Sequence, residues 1–275
     1  MTIAGLDPSG GAGILADIKT AAALGCYGVA VVTSITSQNT QRVFAVQHQT
    51  ARTVREQILP LFDDFEIAAV KTGMLPTAEI IDEVADLIGS KSVPVVVVDP
   101  VLRSTSGFEL ADDRCIDALT SRLFPLATVV TPNLAEALRI TRGRIGMAAI
   151  NEAEITDPKA VAKAILGAAE EIRRMGPQAV LITGGEADAN LSTDLLLDEQ
   201  GSAMYSAERI QSRHTHGTGC TLSSALACLL AQGRSLRDSV RLTKRYVSEA
   251  ILGAPGLGRG NGPLEHFPAG FNNEM

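Results

Sequence analysis

The run Val95-Val96-Val97-Val98, closed by Asp99-Pro100, constrains the fold of this chain more than any other feature. Four successive β-branched residues with no polar alternation leave no face for water. They therefore describe a central strand covered on both sides, as in parallel sheets flanked by helices. The rest of the chain repeats the theme. Strand-like runs at 27–35, 67–71, 93–99, 128–131 and 179–183 alternate with Ala/Leu-rich segments of helical period at 13–24, 53–62, 77–88, 112–123, 134–141 and 157–175. Such alternation predicts crossover units and an α/β fold, a three-layer αβα sandwich with a central, mostly parallel sheet. Segments 193–197 and 203–210 flank the polar turn Asp198-Glu199-Gln200-Gly201 and read as an antiparallel hairpin extending that sheet; helices at 217–231 and 236–252 complete the chain. The polar stretch 142–157 reads as a surface excursion, and residues 1–275 as one domain.

Charge and composition narrow the function. Against 31 acidic residues stand 24 Lys plus Arg, a net charge of −7 that offers no bulk attraction to nucleic acid or to an anionic membrane. Aromatics make up 4% of the chain and Trp is absent, so a stacking platform for single strands is missing as well. Cys26, Cys115, Cys220 and Cys228 form no C-x-x-C pair and read as reduced thiols. The longest apolar runs, such as 93–98 and 222–231, fall short of the roughly 20 residues that span a bilayer, and no leader pattern precedes the first motif. A cytoplasmic protein without nucleic-acid or membrane partners is the expectation.

The 25 glycines gather at element boundaries: 10–13, 184–185, 217–219 and 256–262. Gly10, Gly11 and Gly13 lack the G-x-G-x-x-G spacing of a dinucleotide loop, so the first cluster by itself reads as a tight strand-to-helix turn. The third is more informative. Gly217-Thr218-Gly219-Cys220 opens a long small-residue helix, where free backbone N–H groups and the positive end of the helix dipole make a site for phosphate oxygens. It is not a Walker loop, since the spacing and the lysine of that motif are missing. Cys220 in the first turn is expected to have its thiol pKa lowered, and could then accept a proton. Asp99 ends the central strand at the sheet's carboxyl edge, where ligands bind in such folds.

Gly217-Thr218-Gly219-Cys220, preceded by His214-Thr215-His216, together with the opening Ala4-Gly5-Leu6-Asp7-Pro8-Ser9-Gly10-Gly11-Ala12-Gly13, resembles the hydroxymethylpyrimidine and phosphomethylpyrimidine kinases of thiamine biosynthesis, in the ribokinase-like superfamily. The likeness continues through Thr36-Ser37-Gln38-Asn39-Thr40, Val70-Lys71-Thr72-Gly73-Met74, Val98-Asp99-Pro100-Val101, Thr131-Pro132-Asn133-Leu134-Ala135-Glu136-Ala137 and the tail Ala254-Pro255-Gly256-Leu257-Gly258-Arg259-Gly260. The resemblance implies ATP as phosphoryl donor, Mg²⁺, a hydroxymethyl pyrimidine as acceptor, two successive phosphorylations and a homodimer. It also implies site residues. Gln38 and Met74 would hold the pyrimidine, with Ala12, Asp17 and Val101 nearby; Asp99 and Glu136 would act at Mg²⁺. Asn133, Thr183 and Gly185 would line the nucleotide side, and Gly217, Thr218, Gly219 and Cys220 would form the anion hole and the base.

Each residue also has a plainer reading: a turn residue for Gln38, a core filler for Met74, a surface charge for Asp17, helix-start charge complementarity for Glu136. The chain departs from the family pattern at Thr183, where a lysine is usual, at Glu186, which replaces a common histidine, and at Leu6. Lys244 or Arg103 is then expected to supply the missing positive charge. Two alternatives stay open: a pyridoxal kinase on the same scaffold, and a catalytically weak ligand-binding homologue.

Overall fold

The computed structural model describes residues 1–103, 111–141, 158–185, 190–269 and 271. The expected excursion at 142–157 and Glu186 lie outside them. Among the described residues, nine strands form one sheet in the order β3-β2-β1-β4-β5-β6-β7-β8-β9. They are β1 (Thr2–Leu6), β2 (Ala30–Gln38), β3 (Val43–His48), β4 (Ala69–Thr72), β5 (Val95–Val98), β6 (Val129–Val130), β7 (Ala179–Gly185), β8 (Leu191–Asp198) and β9 (Gly201–Glu208). From β2 to β7 all neighbours are parallel; β3, β8 and β9 add antiparallel edges.

The valine run lies at the centre, as its composition requires. Val96 and Val98 enter the core on one face with Val180 and Ile182, while Val97 enters the other with Val129, Ala179 and Leu181. Helices α2 (Ala51–Asp64), α3 (Ala78–Lys91), α4 (Asp113–Ala118), α5 (Leu134–Ile140) and α6 (Pro158–Arg174) cover the first face. Helices α1 (Gly13–Ala23), α7 (Thr218–Ala231) and α8 (Leu236–Leu252) cover the second. This is the three-layer αβα sandwich expected from the alternation. Local signals set the helix starts: Thr50, Thr77, Asp112 and Ser235 each accept a backbone N–H of the first turn.

Five elements differ from expectation. Strands β1 and β3 are additions, and β2 begins later than residue 27 because Tyr27 stands exposed ahead of the sheet. The expected helix at 112–123 stops as α4 at Ala118, then widens into a π turn, Leu119–Leu123, and a short 3₁₀ turn, Phe124–Leu126. There the Thr120 and Ser121 hydroxyls bond back to the carbonyls of Ile116 and Asp117. The hairpin is longer than expected, with Asp198 facing Gly201 across a two-residue turn.

Strand order positions the site. From β1 the sheet grows one way to β2 and the other way to β4 and β5, so a crevice opens beyond the carboxyl ends of β1 and β4.

Candidate active site

That crevice is a cavity of about 820 Å³. Its walls bring together residues far apart in sequence: Ala12, Gln38, Met74, Val101, Asn133, Thr183 and Lys244, the carboxylates of Asp99 and Glu136, and Gly217 through Cys220.

The floor is tied by Asp7, one residue beyond β1. Its carboxylate accepts hydrogen bonds from the Ser9 N–H (2.8 Å), the Ser9 hydroxyl (2.9 Å) and the Ala12 N–H (3.0 Å), and Oδ2 lies 2.7 Å from His216 Nε2. The opening glycine loop is thus joined to the segment that leads into α7. The join requires glycine: Gly217 has φ 84°, and a Cβ there would overlap the Gly11 carbonyl oxygen. Gly217 caps α7, whose first-turn residues Thr218, Gly219 and Cys220 line the cavity; the Thr218 N–H is taken by Thr215 O at 3.3 Å.

Asp7 also gives a pH-dependent prediction. Burial pushes its carboxyl up, but the bonds from His216 and Ser9 outweigh that and hold it at about 2, below the ordinary 3.8. A folded value below the unfolded one means stability that is present above about pH 4 and lost as pH falls toward 2. Asp7→Asn is expected to cost on the order of 2 kcal/mol at neutral pH. Urea unfolding across the acid range should show the gap to the parent closing between about pH 4 and pH 2; a gap that persists at the acid end would assign the loss to geometry instead.

The acidic wall is built by β5 and α5. Asp99, 5% exposed, accepts from the Ser223 hydroxyl of α7 at 3.1 Å. Burial raises its pKa to about 6 against the pull of Lys71. Glu136 closes a capping box with Asn133: its Oε2 accepts Asn133 N–H (3.0 Å), while Asn133 Oδ1 accepts Glu136 N–H (2.9 Å). The plain helix-start reading is therefore realised, and yet Glu136 also lines the cavity. Burial, then the nearby charge of Asp99, push its pKa up to about 8.

Two expectations need correction. Asp17 is neither on the wall of this cavity nor a surface charge. It is 2% exposed, paired with Lys71 Nζ at 3.0 Å through both carboxylate oxygens, and accepts from Thr2 and Ser224 hydroxyls at 2.6 and 2.8 Å. The Cys220 thiol pKa is not lowered. Burial pushes it up to about 12; Lys71 pulls it down, but Asp17 and Asp99 add to the rise. Desolvation at this helix start outweighs the dipole.

On the side expected to take the nucleotide, Thr183 N–H bonds Pro132 O at 2.9 Å, and Gly184 N–H bonds Asp194 Oδ1 at 3.0 Å. Gly185 ends β7, paired with Thr193. Lys244 is no solvated surface residue: its ammonium meets Asp194 and Ser192 at 2.9 Å each, beside Gly184. Arg103 lines the same cavity.

Sequence reasoning assigned no role to Lys71, Asp7, His216 or Ser223. Lys71 had a usable signal, a lone charge within the buried β4, where a cation survives only with a partner.

The model of the family described as phosphomethylpyrimidine kinase matches residues 7–265. The chain belongs to that family. The hydroxymethylpyrimidine/phosphomethylpyrimidine kinase of Streptomyces coelicolor is 42% identical over 266 residues, 97% of this chain and 93% of the relative. A thiamine biosynthesis bifunctional protein of Geobacter sulfurreducens is 41% identical over 98% of this chain, which spans about half (52%) of that longer protein. Among solved structures, the phosphomethylpyrimidine kinase of Clostridium difficile superposes with TM-score 0.75 at 38% identity, covering 91% of this chain and 97% of that one. The Bacillus subtilis pyridoxal kinase, solved as an ADP complex, gives 0.84 at 34% identity, covering 97% and 96%. The family thus shares its fold with pyridoxal kinases.

Proposed function

We propose that this chain transfers the terminal phosphoryl group of ATP to the alcohol of 4-amino-5-hydroxymethyl-2-methylpyrimidine and then to the resulting monophosphate. The observation that carries the reading is the convergence, in one cavity, of a small-ring wall, a pair of buried carboxylates and the amide-rich start of α7, in a chain of this family.

Gln38 offers both a donor and an acceptor to an aminopyrimidine edge, and Met74, 8% exposed, offers a polarizable face to the ring. The amides at the start of α7 face the oxygens of the transferred group, where charge grows during phosphoryl transfer. Asp99 and Glu136 fit Mg²⁺: they are hard oxygen donors, buried, close enough for one charge to raise the pKa of the other, and two in number, as suits an ion that keeps waters and phosphates in its shell. When bound, the ion would neutralise charge on the ATP phosphates. Asn133, Thr183 and Gly185 lie toward the nucleotide, with Lys244 supplying charge in place of the lysine usual at position 183. The homodimer and the cytoplasmic location belong to this reading through the family; no helix among the described residues is long and apolar enough to cross a membrane.

Pyridoxal phosphorylation is the second reading, favoured by the 0.84 superposition on a pyridoxal kinase. A coupled ADP-release assay with hydroxymethylpyrimidine, its monophosphate and pyridoxal, followed by product mass, separates the two. Release of ADP on both pyrimidines, ending in the pyrophosphate, is the expected result. Turnover on pyridoxal alone would overturn the proposal, and ligand binding without ADP release would leave a silent homologue.

A further inference from the structure

Toward the amino ends of β1 and β4 lies a second cavity of about 330 Å³, with Asp17 and Lys71 among its lining. Cys26 and Cys228 both line it, and the exposed Tyr27–Phe65 stack, centroids 6.1 Å apart, forms part of its rim. Cys26 sits in the turn after α1, its N–H bonded to Ala21 O at 2.8 Å. Cys228 lies near the end of α7, 8% exposed. Cys26 packs against the buried cluster to which Cys228 belongs. Gln232, just past α7, fastens the same turn, donating to Leu24 O at 2.8 Å and to Cys26 Sγ at 3.6 Å.

We propose that Cys26 and Cys228 are a reversible disulfide pair, closed by a hydroperoxide that reaches Cys26 through this cavity. Cys26 is partly exposed and Cys228 is buried, so the two differ in the way an attacking and a resolving thiol must. The neighbouring Cys228 thiol, working against burial and assisted by Gln232, holds the Cys26 thiol down at about 6, while the Cys228 thiol is pushed up. The Cys26 thiolate attacks one peroxide oxygen; the O–O bond breaks, hydroxide leaves, and the sulfur becomes a sulfenic acid. Cys228 sulfur then displaces that hydroxyl: the S–S bond forms, and water leaves with the Cys228 proton. Two thiols have given two electrons to one peroxide, and for hydrogen peroxide two waters result once the first thiol's proton is counted.

The bond would join the far ends of α1 and α7, which pack side by side and whose starts both face the active-site cavity. The inference does not depend on the substrate.

The test is a non-reducing peptide map of the full chain after hydrogen peroxide, with thiols blocked by alkylation. The expected product is a peptide linking Cys26 to Cys228, two hydrogens lighter than its parts and released by dithiothreitol, with Cys115 still open to alkylation after denaturation. Closing so long a loop should also raise Tm by a few degrees, reversibly. In Cys228→Ala, Cys26 should instead accumulate sulfenic acid that dimedone traps. The proposal is overturned if all cysteines in the treated parent protein alkylate as in the reduced one, or if Cys26 passes to sulfinic acid with no linked peptide. The map of the parent decides even if the variant folds poorly.

Discussion

Replacing Cys220 with alanine should lower turnover of hydroxymethylpyrimidine by about 10²–10⁴-fold, the usual contribution of a general base, while phosphorylation of the monophosphate falls far less. The difference comes from the acceptors. An alcohol attacks only as its proton is taken, whereas a phosphate monoester is largely ionised near neutral pH, with a second pKa of about 6. The structure sharpens what the thiol needs for this. In the free site, burial keeps it protonated, and Lys71 is the charge pulling the other way. Loss of its proton therefore belongs to the loaded site, where the α7 amides and a bound cation add positive potential. Initial rates of ADP release on the two acceptors, for Cys220→Ala beside the parent, make the comparison. Equal losses on both would show that Cys220 shapes the cavity rather than takes a proton.

The Lys71→Met variant should unfold about 3–5 kcal/mol more easily than the parent, the range found when one partner of a buried ion pair is removed. Lys71 and Asp17 are 2% exposed each, and Asp17 would be left as a charge with only the Thr2 and Ser224 hydroxyls for company. Neutralising both, as Lys71→Met with Asp17→Asn, should recover most of that loss, because the amide oxygen can accept from one hydroxyl while the amide NH2 donates to the other. Activity should not recover. The Lys71 charge is felt at both Cys220 and Asp99, so the double variant would be a stable protein with an impaired site. Urea unfolding of the parent, Lys71→Met, Asp17→Asn and the double variant gives the coupling directly. A double variant as unstable as Lys71→Met would mean that the lysine stem, not the charge pair, carries the stability.

The local record accounts for much of the molecule. Val95 to Val98 had to be covered on both faces, and Thr77, Asp112 and Ser235 had to cap whatever followed them, because those preferences act within a few residues. The glycine-capped start of α7 was legible for the same reason: glycines, a helix start and a small-residue run stand next to one another in the chain. Strand β1 was not, since Thr2–Leu6 is short, contains a glycine and shows no alternation; it is a strand because β2 and β4 lie on either side of it. Nor was β3, whose exposed Phe44 and Ala45 give no inward face to read.

The site divides along the same line. Residue chemistry at a sheet edge or helix start, such as Asp99, Asn133 with Glu136, and Gly217 with Gly219, is dictated by neighbours in sequence. Which charges meet is not. Asp17 faces Lys71 across 54 residues, Asp7 faces His216 across 209, and Ser223 reaches Asp99 across 124. Those meetings tune protonation, and burial, which is set by the same tertiary packing, reversed the expected direction for Cys220. Desolvation depends on everything packed around a group, and a one-dimensional string of residues shows only what comes before and after it.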